Sequence, residues 1–481
     1  MDMETKLDDK SSRGSKALKS GLWYTVSSVS VKAILIISTP IFTRMMSTAD
    51  YGLSATFTTW FALLNVICSL NLWYSIGRAK LDFPGKLDEF VGSIQLLAFS
   101  FALFLEIITL FFFDRVCVAL DLNSSLLIAL YIYLLAYPAV QLTQAKMKYL
   151  YNYIGNIVIT VYTTIATVAI SLILVYLFPN SAALGKSLGA VISAVILAII
   201  IWVKNISKKR ISINLEYWKY ALKISAPLIL NSISLNILAQ ADRAFITKYC
   251  GTEYTGIYSL AYSYAILINI ILNAANEAWL PWFHDTFYEE GFEDIKKNVK
   301  PLIVFGCWFG IGCIAIAPEA IALLGGKAYA EGVQVVPPVT LGIVCSYIFQ
   351  HYEHIELHLK KTWFISAGTI IAAGVNIVLN YVFVRKFGFV AAAYTTLFCY
   401  LLLMLLHHCI SRGVLKVHLY HDKFMYLSFI VTAIIATVFM ILYNYFWIYR
   451  WILIIIISII YLVNNKDLIN KLLVKFKNKK K

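Results

Sequence analysis

The sequence predicts an all-α integral membrane protein of about fourteen transmembrane helices, built as two parallel six-helix lobes followed by a C-terminal helix pair. Three observations predict it. The chain is 60% hydrophobic and only 14% charged, with a mean hydropathy of +0.74, whereas soluble domains carry about a quarter charged residues. Apolar stretches long enough to cross a bilayer recur along its whole length, at about twenty residues each. Finally, a stretch near the start matches one 204 positions later without a gap. The net charge of +15 calls for no nucleic-acid partner, because Lys and Arg of membrane proteins collect on cytoplasmic loops.

In order, the expected spans are 21–43, 52–76, 90–113, 124–144, 153–178, 183–203, 222–247, 255–277, 300–322, 334–357, 363–383, 389–410, 424–446 and 448–463. The last is short, so 424–463 reads as a tight hairpin or a partly interfacial segment. Residues 1–20 are polar and mixed in charge, without the pattern of a cleaved signal peptide, and form a cytoplasmic N-terminus. With that end inside, eight of the 41 Lys and Arg fall on outer loops: Arg44, Arg115, Lys186, Lys248, Lys327, Arg385, Lys386 and Arg450. Lys32 and Arg243 lie within spans, and the other 31 are inner. This asymmetry places both termini in the cytoplasm. Trp218, Trp279 and Trp282 suit the headgroup level, and the basic tail 464–481 suits anionic lipid.

The repeat sets Ala17–Leu53 on Ala221–Ile257. Its polar matches at the turn, Arg44/Lys248, Thr48/Thr252 and Gly52/Gly256, carry most of its weight. Glycine there is expected to free the backbone for the turn into the next helix. The copies are six spans apart, so they share one orientation, as in parallel repeats about an axis along the membrane normal. The lobes are then 21–203 and 222–410, joined by a cytoplasmic linker at 204–221 and flanking a central space.

No loop is large enough to hold a soluble catalytic domain, and no phosphate-binding, nucleophile-elbow or dinucleotide motif is present. Any chemistry must therefore sit among the helices, where charges are costly and face a cavity or a partner. Candidates are Lys32, Glu106, Asp242 and Arg243. Asp242 and Arg243 are adjacent, point in different directions on a helix, and call for separate partners. Glu277 and Glu319 lie near span ends, where solvation accounts for them. His351, His354 and His358 share a helix face, but HIELH lacks the HExxH spacing of zinc proteases. A solvated helix end is the expectation there and at His407 and His408, with no metal.

Three stretches carry a family likeness. SGLWYTVSSVSVKAILIISTPIFTRMMSTADYG resembles the first helix and turn of bacterial polysaccharide-biosynthesis membrane proteins. ISAPLILNSISLNILAQADRAFITKYCGTEYTGIYSLAYS resembles their seventh helix, and LLGGKAYAEGVQVVPPV the start of their tenth span. The likeness covers residues 17–410 and points to the multidrug/oligosaccharidyl-lipid/polysaccharide exporter superfamily. Within that superfamily it points to Wzx-type flippases of undecaprenyl-pyrophosphate-linked sugar repeat units. Such a likeness implies a non-enzymatic transporter of the bacterial inner membrane, serving O-antigen, capsule or exopolysaccharide assembly by alternating access. Its partners would be the lipid-linked oligosaccharide, membrane lipids, the polysaccharide polymerase and the chain-length regulator, with no nucleic acid.

That task assigns roles. Lys32 and Arg243 would be the cations for the anionic head, Arg as a fork and Lys as a point charge. Ser28, Asn231 and Asn236, with Ser27, Ser30, Ser232 and Ser234, would offer hydrogen bonds to sugar, although close helix packing explains small polar residues equally well. Arg44 and Lys248 would guide release at the outer mouth. No cofactor is expected beyond coupling to protons or sodium ions, for which Asp242 and Glu106 are candidates. Two other readings compete: a cation-coupled drug antiporter of the same superfamily, and a membrane glycosyltransferase or polymerase, which the short loops disfavour.

Overall fold

A computed structural model describes residue 31 and the stretches 33–445 and 447–464. Ser28, Lys32 and the basic tail lie outside the described residues. Among the described residues there is no strand. Eleven helical stretches are long and apolar enough to cross a bilayer, and a twelfth does so as a pair bent by 47°. Two shorter apolar helices, Ala33–Met45 and Ile448–Ile459, occupy the first and last expected spans. Each of the fourteen expected spans thus has a helix.

The chain divides into two compact units, Met1–Gly256 and Ile257–Lys481. In the first are α1 (Ala33–Met45), α2 (Thr48–Cys68), α3 (Trp73–Asp82), α4 (Leu87–Leu110) and α5 (Phe113–Leu120). With them are α6 (Ser124–Tyr149), α7 (Tyr153–Leu177), α8 (Ala182–Ser207) and α9 (Leu215–Cys250). Helix α10 (Thr252–Ala265) runs from the first unit into the second. The second unit continues with α11 (Leu267–Tyr288), α12 (Phe292–Gly325), α13 (Val336–His358) and α14 (Thr362–Phe387). It ends with α15 (Val390–Cys409), α16 (Asp422–Tyr445) and α17 (Trp447–Asn464). The division falls after α9, and not in the 204–221 segment.

Short polar residues start the helices by accepting from otherwise unpaired N–H groups. Ser47 Oγ accepts from Asp50 N at 3.0 Å, Asn123 Oδ1 from Leu126 N at 2.9 Å, and Asn152 Oδ1 from Gly155 N at 3.0 Å. Asn214 accepts from both Glu216 N and Tyr217 N. The second expected span is not one helix. It breaks between α2 and α3, where Leu70 and Asn71 both take φ of 51°, a conformation that a continuous helix cannot hold.

Small residues let the helices of the first unit approach closely. The α8 backbone at Gly185 and Gly189 lies against α7, with Ser171 Oγ donating to Lys186 O at 2.7 Å. One end of the unit is pinned by polar contacts. Lys146 on α6 reaches Asp88 on α4 at 2.8 Å, and Arg210 pairs with the same carboxylate. Asn205 donates to Gln95 at 2.9 Å, and Trp218 Nε1 to Ser93 Oγ at 3.0 Å. Trp218 thus serves packing as well as any headgroup role, and Trp279 is buried, contrary to the anchor expected there.

The repeat produces a reciprocal contact at the junction of α2 and α10. A Cβ added to Gly52 would overlap the Thr252 carbonyl and the Gly256 nitrogen, and one added to Gly256 would overlap the Thr48 carbonyl. Equivalent residues therefore touch equivalent residues, as a local two-fold requires. Thr247 Oγ1 ties the same junction, 2.6 Å from Thr56 Oγ1 and 2.8 Å from Thr255 Oγ1. The expected reason for these glycines is corrected. Neither has positive φ; the turn glycine is Gly251, at φ 97°. Gly52 and Gly256 instead let two backbones meet.

In the second unit, α13 is the most enclosed helix, with His351, Tyr352, His354, Ile355 and Glu356 all buried. Two cations counted with the outer loops lie elsewhere. Lys186 sits one turn inside α8. Arg450 is buried on α17, where it pairs with Glu319 of α12, so Glu319 is an ion-pair partner and not simply a solvated acid.

Overpacking the glycine junction should cost about 1–3 kcal/mol per site. We expect Gly52→Val and Gly256→Val to lower the thermal midpoint of the purified protein, measured by exposure of its buried cysteines. Gly374→Ala, which meets nothing within 4 Å, should leave it unchanged; equal midpoints for all three would contradict the contact.

Candidate functional site

The central stretch of α9 uses much of its polarity on itself. Ser234 Oγ donates to Leu230 O and Asn236 Nδ2 to Ser232 O, each at 2.9 Å, the back-bonding that hydroxyl and amide side chains adopt within helices. Asn231 is half-buried. One turn onward, Asp242 and Arg243 are 1% and 8% exposed. The Arg243 guanidinium donates to Ala239 O at 3.1 Å and to Gln240 Oε1 at 3.0 Å. Holding the fork along its own helix fixes its direction and keeps a desolvated cation hydrogen-bonded.

A second cation, half-buried, meets the same region. Lys186 Nζ donates to Ser54 Oγ at 2.9 Å and lies 3.7 Å from the centroid of the Tyr51 ring, with the Phe42 ring at 5.6 Å. A desolvated ammonium over an aromatic face is held by the ring quadrupole, at about 2 kcal/mol. Arg243 acts electrostatically on the hydroxyl of that same tyrosine. Lys186 of α8 thus sits on Tyr51 of α2, and the charge of Arg243 on α9 reaches the hydroxyl of the same tyrosine. Sequence reading missed Lys186 because it precedes a run of small residues at a span end. Its neighbours Gly185, Ser187 and Gly189 were the available sign that the backbone there is closely packed.

The remaining expected residues disperse. Arg44 and Lys248 are exposed. Lys248 lies near Asp121, whose carboxyl burial pushes above its usual value while the lysine opposes the shift. Glu106 is buried on α4, and its Oε1 has no hydrogen-bond partner. Among the described residues, no group of three or more His, Cys, Asp or Glu side chains is placed to hold a metal ion.

The histidines depart from the solvated helix end expected for them. His351, His354 and His407 are buried, because other elements close over that end of α13. His284 of α11 meets His358 at 2.9 Å between the Nδ1 atoms, and Phe287 packs on the same ring. Tyr420 donates to His351 O at 3.1 Å and Tyr352 to Asp422 at 2.8 Å. His407 Nδ1 lies 2.8 Å from Glu356, and its Nε2 lies 3.3 Å from Glu353. His408, half-buried, lies 2.6 Å from Tyr426 Oη and 3.3 Å from Asp422.

Many apolar helices around buried charge define the class: a multi-span helical membrane protein with the fold of transporters and flippases. The chain resembles a structure of the lipid II flippase MurJ in an inward closed conformation, with a TM-score of 0.67, 16% identity, and 93% of this chain and 100% of that one covered. It also resembles an inward-facing multidrug resistance MATE family transporter of the MOP superfamily, with a TM-score of 0.63, 12% identity, and 82% and 98% covered. A MOP superfamily transporter from Pyrococcus furiosus matches with a TM-score of 0.53, 12% identity, and 88% and 96% covered. No curated protein matches significantly in sequence. The pattern of the polysaccharide biosynthesis protein family matches residues 17–287, and the chain belongs to that family.

Replacing a buried ion by an apolar side chain of similar length is neutral or stabilising when the ion serves packing alone. Lys186→Met should therefore keep the thermal midpoint of the purified protein; a fall of several degrees would show that the ammonium itself holds α8 against α2.

Proposed function

We propose that the protein is a Wzx-type flippase that carries undecaprenyl-pyrophosphate-linked oligosaccharide repeat units across the bacterial inner membrane. The observation that carries this reading is the convergence of Lys186 and Arg243 on Tyr51 among membrane-spanning helices. Cations within the bilayer are expensive and mark a pathway or a counter-ion. A pyrophosphate is the counter-ion that suits them: a guanidinium offers it a fork, and an ammonium a point charge. Family membership supports the polysaccharide context, and the fold is one that a lipid II flippase shares.

In this account Lys32, with Lys186 and Arg243, attracts the anionic head, while Ser28, Asn231 and Asn236 meet sugar hydroxyls. The polyprenyl tail stays in lipid. Arg44 and Lys248 act at release. Both termini are cytoplasmic, and the protein moves its substrate by alternating access without altering it. Protons or sodium ions drive the cycle through Asp242 or Glu106. Exported units go to the polymerase and chain-length regulator for O-antigen, capsule or exopolysaccharide.

A null strain should accumulate lipid-linked repeat units on the cytoplasmic leaflet, read by protection of the sugar from an external glycosidase. Arg243→Ala and Lys32→Ala should each cut surface glycan by about tenfold, the loss of one charge-assisted contact, at normal membrane abundance. Normal glycan in the null strain sinks the reading. Cation efflux from loaded vesicles, with no lipid-linked intermediate, would instead favour the antiporter.

A further inference from the structure

The second unit holds two carboxylates against one imidazole; Glu356 and His407 are fully enclosed, and Glu353, 22% exposed, lies at the edge of the group. Glu353 and Glu356 project from α13 one turn apart toward His407 of α15, whose Nδ1 is hydrogen-bonded to Glu356 at 2.8 Å and whose Nε2 lies 3.3 Å from Glu353 without a hydrogen bond. Glu356 and His407 are each 0% exposed at the side chain. Phe349 stacks on the imidazole at 5.5 Å, and a Cβ added to Gly368 of α14 would lie 3.4 Å from its Nε2. The Glu356 Oε2 atom is buried without a hydrogen-bond partner.

Among the described residues, neither Glu353 nor Glu356 pairs with a Lys or Arg. Arg412 is committed to Asp422 and to Tyr420 O, and Asp422 also takes Tyr352 and His408. From α11, His284 faces His358, while Trp279 and Phe283 face His351 and His354. Lys360 and Lys361 stand at the exposed end of α13. With both acids ionised, even a protonated His407 leaves one uncompensated negative charge in a buried site. Carboxylates that share a site do not both stay ionised there. One further proton, taken from water, makes the group neutral: carboxylate, imidazolium and carboxylic acid.

We propose that Glu353, Glu356 and His407 form a proton-binding centre that holds one exchangeable proton on the carboxylate pair. His407 bridges α13 to α15. Loss of the stored proton adds one negative charge to the group and favours an arrangement in which water or a cation reaches it. Two features suit such a change: the unpartnered Glu356 oxygen, and the π-helical turn Ile410–Val414 that ends α15 three residues after His407. Turns of that kind recur at functional sites. The centre stands on geometry alone; its use in driving export rests on the translocation reading above.

Infrared pH titration of the full-length protein in lipid nanodiscs reads the stored proton without any substrate, so failure here and failure of the translocation reading are separable. With glutamate carboxyls labelled by 13C in a Glu106→Gln background, which removes the other buried glutamate, a protonated-acid C=O band should grow by one carboxyl's amplitude above the pH range in which exposed carboxylates titrate. Adding Glu353→Gln/Glu356→Gln should remove it. Glu353→Gln alone, which keeps Glu356 against His407, should also lose it and serves even if the double variant does not fold. A Glu106→Gln protein without the band overturns the proposal, as does a band that survives in Glu353→Gln or in the folded double variant.

Discussion

Hydrocarbon hydrates no peptide group and no charge, and the structure follows from meeting that demand helix by helix. Each span closes its backbone bonds internally, so what remains to be satisfied are side chains and close approaches. At the α2–α10 junction the demand is met by removing side chains: Gly52 and Gly256 bring backbone to backbone, and Thr56, Thr247 and Thr255 bond to one another. Lipid offers no hydrophobic drive for helices to associate, so such contacts do what core burial does in water. The exposed apolar faces, such as Phe111, Tyr176 and Ile199, are what lipid solvates.

Charges that survive under this constraint are placed differently in the two units. In the first, Lys186 and Arg243 are held by an aromatic face, a hydroxyl, a carbonyl and an amide. These partners fix the direction of each cationic side chain. The second unit instead sets two acids around one imidazole, so the charge concentrated there is negative where that of the first unit is positive.

Helix number and order were legible because they depend on apolar length, a property of the chain in one dimension. Neighbours were not. The break at Leu70 and Asn71 leaves the apolar stretch unbroken, so hydropathy passes over it. The duplication was readable in Gly52 and Gly256, but its reason was not, since whether a glycine serves a turn or a close approach depends on the partner backbone. Arg243 showed itself as a charge in an apolar run. Lys186, one turn inside its helix, resembled a loop lysine. His351 and His407 looked like solvated helix ends because nothing in HYEHIELH tells that α11 and the 415–421 segment close over them.

The central claim is that this chain moves a lipid-linked sugar across a bilayer, and purified protein in sealed liposomes tests it most directly. Vesicles carrying polyprenyl-pyrophosphate-linked oligosaccharide in both leaflets are treated with an external glycosidase that cannot enter. If the account holds, protein-containing vesicles lose nearly all the sugar, while protein-free vesicles and those with Arg243→Ala stop at about the half exposed on a symmetric bilayer's outer face. Protection of that inner half in the presence of wild-type protein, with a proton gradient of either sign, would contradict it.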